Sequence, residues 1–202
     1  MLHNQLDDFN LALAGRAYSQ PEILNHARFW LFDQKTKNIT KVEFSPQAQR
    51  HWLRVDNADG AEFAFIRIDG HDSVFRSSPP PVANDAIFIY DNIGTRAGAC
   101  DCLLIDASIW HFIEFKTNST SENLDRLELN RLKAEFQLAR TITFFRENNS
   151  TLNAFFKAIV VVPTQYDYPR FRAEKSRSVI FKLKWKVPLE EVVLGKGYRI
   201  NT

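Results

Sequence analysis

The segment Cys100-Asp101-Cys102-Leu103-Leu104-Ile105-Asp106, continued by Ile109-Trp110-His111-Phe112-Ile113-Glu114-Phe115-Lys116, restricts the fold of this chain more than any other stretch. The two halves meet at Ala107-Ser108, and a two-residue loop is a common closure for antiparallel neighbours. In that register Leu103, Ile105, Trp110 and Phe112 share one face of the hairpin, and Cys102, Leu104 and Ile113 share the other. A strand that is apolar on both faces belongs inside a sheet covered on both sides. The expected fold is therefore α/β, a mixed central sheet flanked by helices.

The remaining elements follow from periodicity and turn chemistry. Residues 6–13 read as a helix, and 51–55 with 62–68 as a second hairpin turned by Asn57-Ala58-Asp59-Gly60. Ser77-Ser78-Pro79-Pro80-Pro81 interrupts regular structure, because proline lacks the amide donor. It separates residues 1–80, a β-rich extension, from a core of residues 81–202, and leaves open whether the two share one sheet. Ala86-Ile87-Phe88-Ile89-Tyr90 then reads as a strand and residues 94–98 as a turn, so that three strands stand in succession.

Residues 121–147 read as a helix: Leu129, Leu132, Phe136 and Ala139 recur at three- and four-residue spacing, and Ser119 with Glu122 offers a capping box. Phe155–Val162 is a continuous apolar strand of the kind that follows a crossover helix. Val179, Phe181, Leu183, Trp185 and Val187 alternate with Lys182, Lys184 and Lys186, which predicts a half-buried strand with an outward comb of lysines. Such a comb either protects an edge from pairing or contacts phosphates.

With 202 residues, 45% hydrophobic and 25% charged, the chain has the make-up of a globular protein, and 17 Phe supply an aromatic core. Its apolar runs fall far short of the roughly 20 residues that cross a bilayer. The acids of Met1-Leu2-His3-Asn4-Gln5-Leu6-Asp7-Asp8 do not suit a secretion signal, so no membrane partner and a cytoplasmic location are expected. Cys100 and Cys102 lie one residue apart on a strand, where a bridge would be strained, and they are expected to be reduced. The five His lack the spacing of zinc ligands.

A net charge of +2 identifies no partner, but residues 169–186 carry Arg170, Arg172, Lys175, Arg177, Lys182, Lys184 and Lys186 against Glu174 alone. These are candidate phosphate-backbone contacts, with Tyr166 and Tyr168 beside them. Trp30, Trp52, Trp110 and Trp185 can stack on bases, although packing is the commoner use of tryptophan. His111 falls on the face opposite Glu114 and reads as a core residue.

The chemistry concentrates at the open end of the hairpin. Its register puts Asp101 opposite Glu114 on one face, with Cβ atoms about 5 Å apart, and Lys116 shares that face. Two carboxylates at the end of a buried strand repel and are poorly hydrated unless a cation neutralises them. Mg²⁺, or Mn²⁺ in its place, meets that need with hard oxygen ligands and activatable waters. Lys116 stands where its ammonium orients or helps deprotonate a water and offsets charge on a phosphate. Asp106, at the turn, is the competing acid and ranks behind Asp101; Glu62, Asp85 and Asp91 read as surface or turn residues.

Asp101, twelve intervening residues, then Glu114-Phe115-Lys116 at a strand end, a long helix and a buried strand resemble the PD-(D/E)XK nuclease core. The resemblance spans roughly residues 85–163. It implies a restriction-endonuclease-like core in which Asp101 and Glu114 bind divalent metal, the Phe115 carbonyl is a third ligand and Lys116 is catalytic. Gln137 resembles a glutamine that some branches hold near the site. The tyrosine expected four residues later is Thr141, the proline before the first acid is Cys100, and no upstream helical glutamate stands out.

The expected activity is metal-dependent hydrolysis of DNA phosphodiester bonds, with homodimer formation left open. The alternatives are a nuclease-like fold that only binds nucleic acid or protein, and an unrelated α/β protein with a structural ion network at these residues.

Overall fold

The structure is a computed structural model that describes residues 2–13, 20–34, 39–45, 52–57, 59–68, 98–116, 124–149, 152, 154–162, 170–194 and 198–199. In chain order the elements are α1 (Leu2–Leu13), β1 (Glu22–Leu24), β2 (Arg28–Gln34), β3 (Ile39–Glu43), β4 (Trp52–Asp56), β5 (Phe63–Arg67), β6 (Cys102–Ile105), β7 (Ile109–Phe115), α2 (Leu124–Asn148), β8 (Phe155–Val162), α3 (Arg170–Trp185), β9 (Leu189–Val193) and β10 (Tyr198–Arg199). Six strands form one sheet in the order β1-β5-β6-β7-β8-β9, and four form a second in the order β10-β4-β2-β3. The large sheet is antiparallel from β1 to β7 and parallel from β7 to β9.

The central hairpin has the expected register, from Cys102 opposite Ile113 to Ile105 opposite Trp110. It closes through Asp106 N–H donating to the Ile109 carbonyl at 3.0 Å. Its two apolar faces feed two separate cores. Leu103, Ile105, Trp110 and Phe112 pack with Phe9 of α1, Leu138, Ile142 and Phe145 of α2, and Phe181 of α3. Cys102, Leu104, Ile113 and Phe115 pack with Phe29, Leu31, Leu53 and Val55 of the second sheet. Helices thus cover one face of the large sheet and four strands cover the other, so β7 is buried from both sides, as its composition requires.

Trp110 is the centre of the helical core. Its ring meets Phe145 edge-on at 5.2 Å, and its Nε1–H donates to Gln5 at 2.6 Å, satisfying the one polar atom it buries. Among the described residues no helix is long and apolar enough to cross a membrane. Cys100 and Cys102 are buried and free.

Two expectations need correction. Residues 51–55 and 62–68 do not pair: β4 lies in the small sheet and β5 in the large one. The chain changes sheets through Asn57, whose side chain donates to the His26 and Ala61 carbonyls at 3.1 and 2.8 Å and accepts from Ala61 N–H at 3.0 Å, while Gly60 takes φ +62°. Turn chemistry was read correctly, but a turn residue that bonds outward makes a corner as readily as a hairpin. In the large sheet β5 pairs with β6. Residues 86–90, the 77–81 interruption and the 94–98 turn lie outside the described residues.

Second, the lysine-comb strand is a helix. Phe181 and Trp185, four apart, pack into the helical core, and residues four apart share a face in either period. Val179 and Leu183, on the same face in a strand, point to solvent at 57% and 66% exposure. The helix stops at Lys186, whose φ of +55° and N–H bond to the Lys182 carbonyl make a left-handed cap.

α2, described over Leu124–Asn148, falls within the expected region and joins parallel neighbours β7 and β8. Phe136 and Ala139 are buried as expected, but Leu129 is 49% exposed. The Ser119–Glu122 capping box lies outside the described residues. β8 has the expected bounds, Phe155–Val162.

Replacing Asn57 with Ala strands the two carbonyls and the amide that its buried side chain serves. Denaturant unfolding should show a loss of about 2 kcal/mol; a change below about 0.5 kcal/mol would mean that the corner does not depend on this residue.

Candidate active site

Ladder geometry at the end of β6 and β7 determines where the acids lie. Asp101 N–H donates to the Ile113 carbonyl at 3.0 Å, and the Asp101 carbonyl accepts from Ile68 N–H at 3.0 Å. Beyond this point the chain leaves the sheet, and Asp101 Oδ2 takes the Phe115 N–H at 2.6 Å, standing in for a missing backbone acceptor. Lys116 N–H continues the ladder on the other side by donating to the Val161 carbonyl at 2.8 Å. The two segments that carry Asp101 and Lys116 are therefore fixed by backbone pairing on both flanks.

α2 completes the site. Lys116 Nζ donates to Glu114 Oε1 and, at 2.9 Å, to Gln137 Oε1. Gln137 Nε2 donates to the Ala99 carbonyl at 3.0 Å. One turn along, Thr141 Oγ1 accepts from Cys100 N–H and donates to the Gln137 carbonyl, each at 2.9 Å. Thr141, where the resemblance leads one to expect tyrosine, thus helps to tie residues 99–100 to α2 and so fixes the approach to Asp101. The structure brings together Asp101, Glu114, Lys116 and Gln137.

The electrostatics are unbalanced. Glu114 is 1% exposed, and its Oε2 is buried with no hydrogen-bond partner. Burial raises the Glu114 carboxyl above its ordinary range, against the pull of Lys116. Asp101 is pushed well above that range by burial and then by the Glu114 charge, with Lys116 and the Phe115 N–H opposing. Asp33, on β2 of the small sheet, adds its repulsion to both. Burial and Glu114 also hold the Cys100 thiol well up, so it is no nucleophile at neutral pH.

An orphaned carboxylate oxygen beside a second acid is a fit for a hard cation. Among the described residues no three His, Cys, Asp or Glu side chains converge as a metal-holding group.

Other candidates fall elsewhere. Asp106 accepts from Ser108 N–H at 2.7 Å and Ile109 N–H at 2.6 Å, capping the turn at the far end of the hairpin. Its other oxygen meets His111 Nε2 at 3.1 Å, and His111 Nδ1 meets the Tyr198 hydroxyl at 3.2 Å. His111 is buried on the opposite face, as expected. Glu62 is exposed. Asp85, Asp91, Tyr166 and Tyr168 lie outside the described residues.

The basic stretch lies on α3 and the turn that follows it. Arg177 is ion-paired to Glu128 and Glu135 of α2, the latter at 2.7 Å. Lys184 lies 5.0 Å from the Trp185 ring centre. Lys182, Lys184 and Lys186 are exposed at successive positions around the end of α3, and Arg170, Arg172 and Lys175 belong to its earlier turns.

Two features escaped the sequence. Asp33 sits in a different sheet, with no spacing to announce it. A cavity of about 250 Å³ beside Val160, the register partner of Glu114, is edged by Arg131, Glu135 and Glu191. Arg131 pairs with Glu191 at 3.0 Å, and burial pushes the Glu135 carboxyl up to about 7 against the pull of Arg131.

Family models, curated proteins and solved structures contain no match to this chain.

The raised carboxyls make a stability prediction with a definite sign. A folded state that holds a proton more tightly than the unfolded chain loses stability as pH rises from the ordinary carboxylate range through the folded-state value. Asp101→Asn removes the charge and keeps an oxygen for Phe115 N–H. In EDTA at pH 8 the variant should melt above the unsubstituted protein by about 2–4 °C, roughly 1 kcal/mol for a chain of this size. At pH 4 the gap should close. An equal or lower melting temperature at pH 8 would overturn the charge argument.

Proposed function

We propose that this chain is a metal-dependent nuclease that hydrolyses phosphodiester bonds of DNA. The observation that carries the reading is the unpartnered Glu114 Oε2, buried at a strand end beside Asp101 and a lysine. Evolution retains such an arrangement against its electrostatic penalty where a cation and an anionic substrate relieve it. The resemblance to the PD-(D/E)XK core supports the same reading, and so does the order of hairpin, long helix and parallel strand.

Asp101 and Glu114 would hold Mg²⁺ or Mn²⁺, with the Phe115 carbonyl as a third ligand. When bound, such an ion polarises a phosphoryl oxygen and makes water acidic enough to supply hydroxide near neutral pH. The chain's own residues do the positioning. An ammonium has three N–H donors, and those of Lys116 are directed by Glu114 and Gln137, leaving a third for an attacking water or a phosphate oxygen. Gln137 accepts from Lys116 and donates to Ala99, so it holds the ammonium while tethering the segment that carries Asp101. Thr141 reinforces that tether.

Incubation of the purified chain with DNA and Mg²⁺ or Mn²⁺ tests the reading. Cleavage is expected, with Asp101→Ala and Lys116→Ala each reducing it by about a hundredfold or more while thermal unfolding shows both variants folded. Undiminished cleavage in these variants rejects the site. No cleavage, with no rise in melting temperature on adding millimolar metal, rejects the nuclease assignment.

A further inference from the structure

The outward face of α3 carries a feature that the proposed chemistry does not use. Phe181 and Trp185, four residues apart, hold the inner side of the helix in the core. On the opposite side Val179, Ile180 and Leu183 are 57%, 61% and 66% exposed. Their spacing of three and four residues puts these aliphatics in one stripe along the helix. Lys182 borders the stripe on one side and Lys184 on the other, and Lys186 stands at the helix cap, all of them exposed. From Lys175 to Pro188 the sequence holds no acid. Glu128 and Glu135 of α2, which lie beside the helix, are engaged by Arg177.

We propose that this stripe docks the protein on an anionic phospholipid surface, with the aliphatic tips in the headgroup boundary and the lysines on lipid phosphates. A contiguous apolar patch rimmed by polar residues marks an interaction site, and the charge of its rim selects an anionic occupant. A nucleic-acid backbone would meet the lysines but would set its phosphates against the aliphatics. A second copy of this chain would bring the same lysines into mutual repulsion. A groove that encloses a helix has no access, because Phe181 and Trp185 keep the far side in the core. A plane of lipid needs one side only. Its boundary accepts the aliphatics, and long lysine stems extend from there to the phosphates.

The expectation of no membrane partner concerned spans and secretion signals, and adsorption needs neither. In the expected strand Val179 and Leu183 would have faced inward and left the lysines alone outside. The helix brings both kinds of residue onto one face. A stripe this short supplies weak, reversible attachment rather than insertion.

Sedimentation of the full chain in EDTA with vesicles of phosphatidylcholine containing about 30 mol% phosphatidylserine, and with vesicles of phosphatidylcholine alone, tests the proposal. The anionic vesicles should bind about tenfold more tightly, and their binding should fall as salt rises. Ile180→Gln combined with Leu183→Gln should weaken that binding about tenfold. Lys182→Gln combined with Lys186→Gln should remove the preference for phosphatidylserine. All four positions are exposed, so thermal unfolding should match the parent. No binding to anionic vesicles, equal binding to both kinds, or unchanged binding by the Ile180 and Leu183 variant overturns the proposal. If that variant instead loses duplex DNA or dissociates a dimer while binding vesicles as the parent does, the stripe belongs to that partner and the proposal falls. No arm of the test reads cleavage, so its outcome is independent of the nuclease assignment.

Discussion

Burial of β7 on both faces is the constraint on which the rest depends. A strand flanked by β6 and β8, with helices on one side and a second sheet on the other, has no water near its backbone or side chains until it reaches an end. Any polar group it carries must be satisfied by the protein or by a ligand. At the turn end the protein suffices: Asp106, His111 and Tyr198 form a chain of hydrogen bonds. At the other end it does not, because Glu114 Oε2 has no donor. Two acids on one hairpin thus differ in role because of their partners alone.

The cluster at the open end destabilises the fold, and the structure offsets this with attachment. Asp101 is tied through its backbone to Ile113 and Ile68 and through its side chain to Phe115. Gln137 and Thr141 anchor the two preceding residues to α2, whose Ala134, Leu138 and Ile142 are embedded in the helical core. A charged group held by so many rigid contacts cannot move away from its neighbour to relieve repulsion. Preorganisation of this kind is what a site for developing negative charge requires.

Legibility in the sequence followed the range of the deciding interaction. A two-residue loop fixes a register locally, so the pairing of Cys102 with Ile113 and the placement of Asp101 near Glu114 and Lys116 were readable. β8 was readable because six of its eight residues are aromatic or β-branched. α3 was not: Phe181 and Trp185 satisfy both periods, and only the packing surface offered by α2 and β9 decides for helix. The corner at Asn57 was missed because its partners, His26 and Ala61, identify the turn only once the small sheet exists. Gln137 was found through the resemblance, since nothing in a helix sequence marks one glutamine as facing a lysine. Asp33 had no such guide.

The alternation of β2 ties the second sheet to the burial of β7. Period-two geometry forces Phe32 and Asp33 to opposite faces, one toward solvent and its stacked partner Trp52, the other toward the acids at the end of β7. Because the registers with β3 and β4 are continuous through these residues, the strand cannot slip by one position without exchanging its ring face for its buried one. The inner residues Phe29, Leu31, Leu53 and Val55 thereby stay packed against the large sheet and keep β7 covered.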